Sequence, residues 1–107
     1  MMGAGGRLFE VSTPLGFTVS VMAEQWKKIV TFKHPIMSGR QRDIQETLEN
    51  HGEIRRSRKD PNVYLFYRAG RPKRWLCAVV KRLEGEGFLV TAYVTDAIKI
   101  GESAWRS

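Results

Sequence analysis

The apolar positions of this chain change their period once, about halfway along. Residues 8–11 and 17–21 alternate as short extended segments, and Thr13-Pro14-Leu15-Gly16 between them has turn chemistry, which predicts a hairpin. Residues 23–33 place Trp26, Ile29 and Val30 at helical spacing, with Gln25, Lys27 and Lys28 between them, so an amphipathic helix of about three turns is expected. His34-Pro35 ends it, because proline disfavours helical geometry in the residue before it. Ser38, followed by Gln41, fits a capping box for a second helix running to about residue 50, with Ile44 and Leu48 inward and His51-Gly52 as the stop.

From residue 53 the period drops to two. Residues 53–58, 63–68, 75–81 and 88–95 read as consecutive strands, separated by Lys59-Asp60-Pro61-Asn62, by Ala69-Gly70-Arg71-Pro72-Lys73 and by Glu84-Gly85-Glu86-Gly87. Connections this short favour antiparallel neighbours. The expected fold class is therefore α+β: an N-terminal hairpin and two helices packed on a curved, antiparallel, four-stranded meander. The 107 residues suit a single domain, with glycine-rich residues 1–6 as a flexible terminus.

Alternation also assigns faces. In the last strand of the meander, Phe88, Val90, Ala92 and Val94 should meet the helices, leaving Leu89, Thr91, Tyr93 and Thr95 on the other side. In residues 53–58, Arg56 and Arg58 share a side with Ile54, whereas Arg55 and Ser57 lie opposite. Periodicity leaves open which of these sides joins Thr91 and Tyr93. Tyr64 and Tyr67 fall on opposite faces, so one belongs to the core. Trp26, Trp75 and Trp105 read as core or closing aromatics.

Charge changes the picture more than composition does. The chain carries 18 basic and 11 acidic residues, a net +7, with a sequence pI near 10.0. Residues 54–82 hold ten basic side chains against Asp60 alone, a net +9, which leaves −2 for the rest. A segment of one sign attracts a polyanion, and counterion release makes nucleic acid the natural partner. Arg55, Arg58, Lys59, Arg68, Arg71, Lys73 and Arg74 are the candidate phosphate contacts, with Tyr67 as an aromatic for a base.

Several chemistries find no support. One cysteine and two histidines make no convincing zinc site, and neither a phosphate-binding glycine loop nor a serine elbow is present. No cofactor is expected. Cys77 alone allows no internal disulfide, and no apolar run approaches the roughly 20 residues that span a bilayer. A cytoplasmic protein without a membrane partner is the expectation. The residues that remain, histidine with arginine, lysine, threonine and tyrosine, suit cleavage of RNA without a metal.

The order of short motifs carries a resemblance. His34-Pro35, Thr47-Leu48, Ser57 with Asp60-Pro61, and 63–68 (VYLFYR) precede Val79-Val80-Lys81, 87–93 (GFLVTAY), Ile98-Lys99, Gly101-Glu102 and Trp105. Over residues 26–105 the chain resembles phage and mobile-element domains of the barnase–EndoU–colicin–RelE-like nuclease group. That resemblance implies a toxin-type endoribonuclease that works without metal, and a cognate antitoxin or immunity protein as a partner. It implies His34 as the proton-transferring group, Arg56 and Lys81 as phosphate-stabilising cations, and Thr91 and Tyr93 as the hydroxyl and aromatic of a late strand. Relatives usually have proline after the second helix, where this chain reads Asn50-His51-Gly52, which makes His51 a competing histidine. A nucleic-acid-binding module without catalysis, or a protein-interaction domain, fits the same charge.

Overall fold

The computed structural model describes residues 6–49, 52–70, 74–98 and the backbone of 102–106. In chain order the elements are β1 (Arg7–Ser12), β2 (Thr18–Met22), α1 (Ala23–Lys28), a π-helical turn (Ile29–Lys33), a 3-10 turn (Pro35–Met37) and α2 (Gln41–Glu49). β3 (Glu53–Arg56), β4 (Val63–Ala69), β5 (Trp75–Leu83), β6 (Glu86–Thr95) and β7 (Glu102–Arg106) follow. The fold is mixed α+β, with helices on one face of a single sheet.

The sheet is larger than the four strands expected. Seven strands pair in the order β1-β2-β6-β5-β4-β3-β7. β3, β4, β5 and β6 are successive antiparallel neighbours, and the hairpin does not stand apart from them. Its second strand pairs parallel to β6, Thr18 to Ser20 against Glu86 to Phe88, which makes the sheet mixed. β7 adds to the opposite edge through β3. Both additions are long-range pairings between segments that look locally like any short strand.

Tight turns form where the residues allow positive φ. Glu84 and Gly85 sit at φ 52° and 86° and close the β5–β6 hairpin, so Glu86 and Gly87 belong to β6 rather than to its turn. Val19 faces Gly87 across the parallel pair, and a Cβ on Gly87 would stand 2.7 Å from the Phe17 ring. That close approach is why the strand carries glycine there.

α1 is shorter than its apolar spacing suggests. After Lys28 the backbone widens into the π turn, and the His34 amide donates to the Ile29 carbonyl at 2.7 Å. His34 then leaves helical geometry at φ −141°, ψ 76°, as the residue before a proline should. The capping box is displaced as well: Gly39 adopts φ 78°, and α2 starts at Gln41 instead of just after Ser38. Arg40 pairs with Asp43 at 2.8 Å across that first turn. Of the glycine-rich start, 1–5 lie outside the described residues, while the Gly6 carbonyl accepts from the Ala23 amide at 2.9 Å.

The main core lies between helices and sheet. Trp26, Ile29, Met37, Ile44 and Leu48 pack on Val19, Val21, Ile54, Phe66, Ala78, Val80 and Leu89, all buried. Thr47 is buried among them and satisfies its hydroxyl by donating to the Asp43 carbonyl at 2.7 Å. A second, smaller cluster sits on the far face, where Leu65, Tyr67 and Cys77 are covered by Trp75, Val79, Tyr93 and Ile98. Among the described residues no helix is long and apolar enough to cross a membrane.

Candidate nucleic-acid site on the far sheet face

Strand register places the polar residues of β6 in two rows across the far face. One row runs Tyr93, Cys77, Tyr67, Glu53, and the next runs Thr91, Val79, Leu65, Arg55. Thr91 and Tyr93 thus point away from the helices. The alternation ahead of them breaks, however. Val79 pairs with Thr91 and Val80 with Leu89, so Val90 is skipped as a β-bulge. The extra residue turns Leu89 into the main core and Phe88 out of it, the reverse of what strict alternation predicts.

The bulge is also where the first helix meets the sheet. Because β2 pairs with β6 only as far as Phe88, the outer edge of β6 beyond that point is taken up by the α1 segment. Gln25 Nε2 donates to the Val90 carbonyl at 2.6 Å, and Lys33 Nζ lies 3.5 Å from the same oxygen. The π turn carries the chain onward so that the His34 ring reaches Tyr93, centroid to centroid 5.7 Å at 39°. His34 and Tyr93 are therefore brought together although 59 residues apart in sequence, and Thr91 lies on the same face two residues before Tyr93.

Thr91 Oγ1 is buried and has no hydrogen-bond partner among the described residues. A buried hydroxyl without a partner is costly. The Tyr93 phenol is pushed well above the usual tyrosine range, first by burial and then by Cys77 and Tyr67 beside it. It stays protonated under ordinary conditions, which suits a hydrogen-bond donor and not an acid that gives up its proton.

The basic residues divide unevenly. Arg56 pairs with Tyr64 in register, on the helix side of the sheet with Ile54, so it is not on the face of Thr91 and Tyr93. Arg55 is, and it pairs with Glu53 two residues back. Three strand spacings separate Arg55 from Thr91, about 14 Å of sheet, too far for one phosphate to touch both ends of that row. Lys81 shares the far face, two residues on from Val79, and its ammonium lies 3.4 Å from Asp60. Asp60 is held below the ordinary carboxylate range by the Asn62 amide first and by Lys81 as well.

Of the other expected contacts, Arg68 lies on the helix side and pairs with Glu46 of α2 at 3.0 Å. Tyr67 shares the right face but is only 1 % exposed, which removes it as a surface for stacking bases. Arg58, Lys59 and Arg74 are exposed. His51, Arg71 and Lys73 lie outside the described residues. Sequence reasoning overlooked Lys33 and Gln25. The signal available was Lys33 next to His34, but the Val90 carbonyl they converge on follows from a bulge.

Among the described residues no three His, Cys, Asp or Glu side chains gather as a metal site would require. Compared with protein-family models, curated proteins and solved structures, the chain matches none.

Proposed function

We propose that this chain is a metal-independent, toxin-type endoribonuclease that cleaves RNA on the far face of its sheet, at the edge where His34 meets Tyr93. The observation that carries the reading is that pairing: a histidine ring 5.7 Å from a buried phenol, beside an unpartnered threonine hydroxyl. In such a cleavage the 2′-hydroxyl loses its proton and its oxygen attacks the adjacent phosphorus. The bond from phosphorus to the 5′-oxygen then breaks, leaving a 2′,3′-cyclic phosphate, and the departing oxygen takes up a proton.

His34 is the group suited to move that proton near neutral pH. Thr91 and Tyr93, whose hydroxyls are buried, form the floor beneath the phosphate, and Lys33 and Lys81 oppose the charge that grows on its oxygens. Arg55 at the far end of its row holds a neighbouring phosphate. Arg56, given a catalytic role by the family resemblance, has none in this reading because it lies on the other side of the sheet.

Purified protein incubated with tRNA and total RNA in EDTA tests the proposal, with His34→Ala as the comparison. Cleavage by the wild type that the variant lacks is expected, together with growth arrest on expression in bacteria that His34→Ala relieves. An intact substrate at micromolar protein across several RNAs would sink the enzymatic reading. Salt-sensitive retention of that intact RNA would leave a binding module in its place.

A further inference from the structure

We infer that Phe32 and Ile36, on either side of His34, form a platform for the bases flanking the reacting phosphate, so that the ligand is single-stranded RNA laid along the π turn. The inference deepens the proposed ribonuclease reading and rests on it for the position of the phosphate. Phe32 is 82 % exposed and Ile36 69 %, and the other exposed large apolar side chains among the described residues, Leu83 and Leu8, lie elsewhere at 50 % and 39 %. A scattered surface apolar residue needs no explanation. Two of them bracketing one histidine, each two residues away, form a local surface of different character.

The charge around them selects the occupant. Residues 25–40 carry Lys27, Lys28, Lys33 and Arg40 and no acid. Arg40 has its partner Asp43, but Lys27, Lys28 and Lys33 are exposed. Apolar side chains among exposed cations suit a ligand that offers flat faces and phosphates together. Ile36 also lines a cleft of about 480 Å³ with Arg40, Arg74, Leu76 and Val94. Val94 and Leu76 face the helices, so this cleft lies on the helix side of the sheet, across the strand from Tyr93. Its apolar walls and two guanidinium groups fit a base and its phosphate. Bases reach such surfaces only when unpaired, whereas a duplex presents its backbone.

Binding is measured separately from cutting by using a fluorescein-labelled 2′-O-methyl RNA octamer, which has no 2′-hydroxyl to attack. Fluorescence anisotropy compares the wild type with Phe32→Ala, Phe32→Tyr, Ile36→Ala and, as a control, Leu83→Ala. Phe32→Ala is expected to weaken binding about tenfold, the scale of one base–aromatic stack, and Ile36→Ala by less. Phe32→Tyr and Leu83→Ala should retain wild-type affinity, and a duplex of the same sequence should not feel the loss of Phe32. Phe32 is so exposed that its removal does not threaten folding, which thermal melting checks. Phe32→Ala and Ile36→Ala both binding within twofold of wild type would overturn the platform and assign these side chains to a protein surface. That result leaves cleavage standing wherever wild type still cuts. Tight octamer binding that Phe32→Ala weakens, in a protein that cuts nothing, keeps the platform and removes the catalysis.

Discussion

The side-chain amide of Gln25 donates at 2.6 Å to the carbonyl of Val90, the one residue that the β5–β6 ladder skips. This bond joins residues 65 apart and fixes the first helix against the edge of β6. It determines where His34 arrives, because the π turn continues directly from α1. Gln25→Ala leaves Lys33, at 3.5 Å, as the remaining donor to that oxygen. A partly buried hydrogen bond contributes about 1 kcal/mol, which lowers Tm by about 4–8 °C in a domain of this size. Differential scanning calorimetry measures it. An unchanged Tm would show that the bulge is held by packing alone.

Gly87→Ala should cost more. The added Cβ would meet Phe17 Cε1 at 2.7 Å and Val80 Cγ1 at 3.0 Å, and both neighbours are buried. Phe17 is itself held between Tyr64, 5.5 Å away, and the Arg82 guanidinium 5.0 Å over its ring. Overpacking of this kind destabilises by about 1–3 kcal/mol. Urea unfolding of Gly87→Ala, and of Gly87→Ala with Phe17→Leu, checks the cause. The second substitution should recover part of the loss, and strict additivity of the two would refute the steric account.

Arg55 and Arg56 are neighbours in sequence with opposite prospects. Arg55→Gln is expected to lower kcat/KM on RNA about tenfold, whereas Arg56→Gln on the helix side should change it less than twofold. Removing Arg55 also strands Glu53, so Glu53→Gln is combined with it to separate stability from RNA contact. Recovery of Tm without recovery of kcat/KM is the expected outcome. Equal effects of the two arginine substitutions would place the RNA somewhere other than the far face.

Tyr93 gives a pH dependence whose sign follows from burial. Its folded pKa lies above the ordinary value of 10.0, so above that pH the unfolded chain has lost a proton that the folded one keeps. Stability is then fully present below pH 10 and falls as pH rises further. Tyr93→Phe removes that component, and its stability should decline less steeply than wild type between pH 10 and the alkaline unfolding limit. Absorbance at 295 nm should show Tyr93 failing to ionise until the protein unfolds. A wild-type titration in which every tyrosine ionises near pH 10 in the folded state would contradict this.

Much of the scaffold could be read from periodicity. The hairpin turn, the four central strands, and the inward Trp26, Ile44 and Leu48 follow from apolar spacing with glycine and proline between segments. The two-residue period also put Thr91 and Tyr93 away from the helices, and the structure agrees. Phe88 and Leu89 were misassigned because a bulge is set by how two strands fit, not by either strand's own pattern. The pairing of the hairpin with β6, and β7 itself, were missed in the same way, since strand partners distant in sequence leave no mark on local alternation.

By itself the sequence determined the secondary-structure periods, the net charge of +9 in residues 54–82, and the residue types capable of chemistry. Those depend only on which side chains follow one another. Tertiary structure decided which of them meet. β2 stops pairing at Phe88, α1 takes over the edge of β6, and the bulge at Val90 gives Gln25 and Lys33 a carbonyl to hold. That packing brings His34 to Tyr93, and the register of β3 against β4 puts Arg55, not Arg56, on the same face. The physical reason is that faces and edges belong to the assembled sheet, where one skipped residue reverses a side chain that alternation alone would have placed.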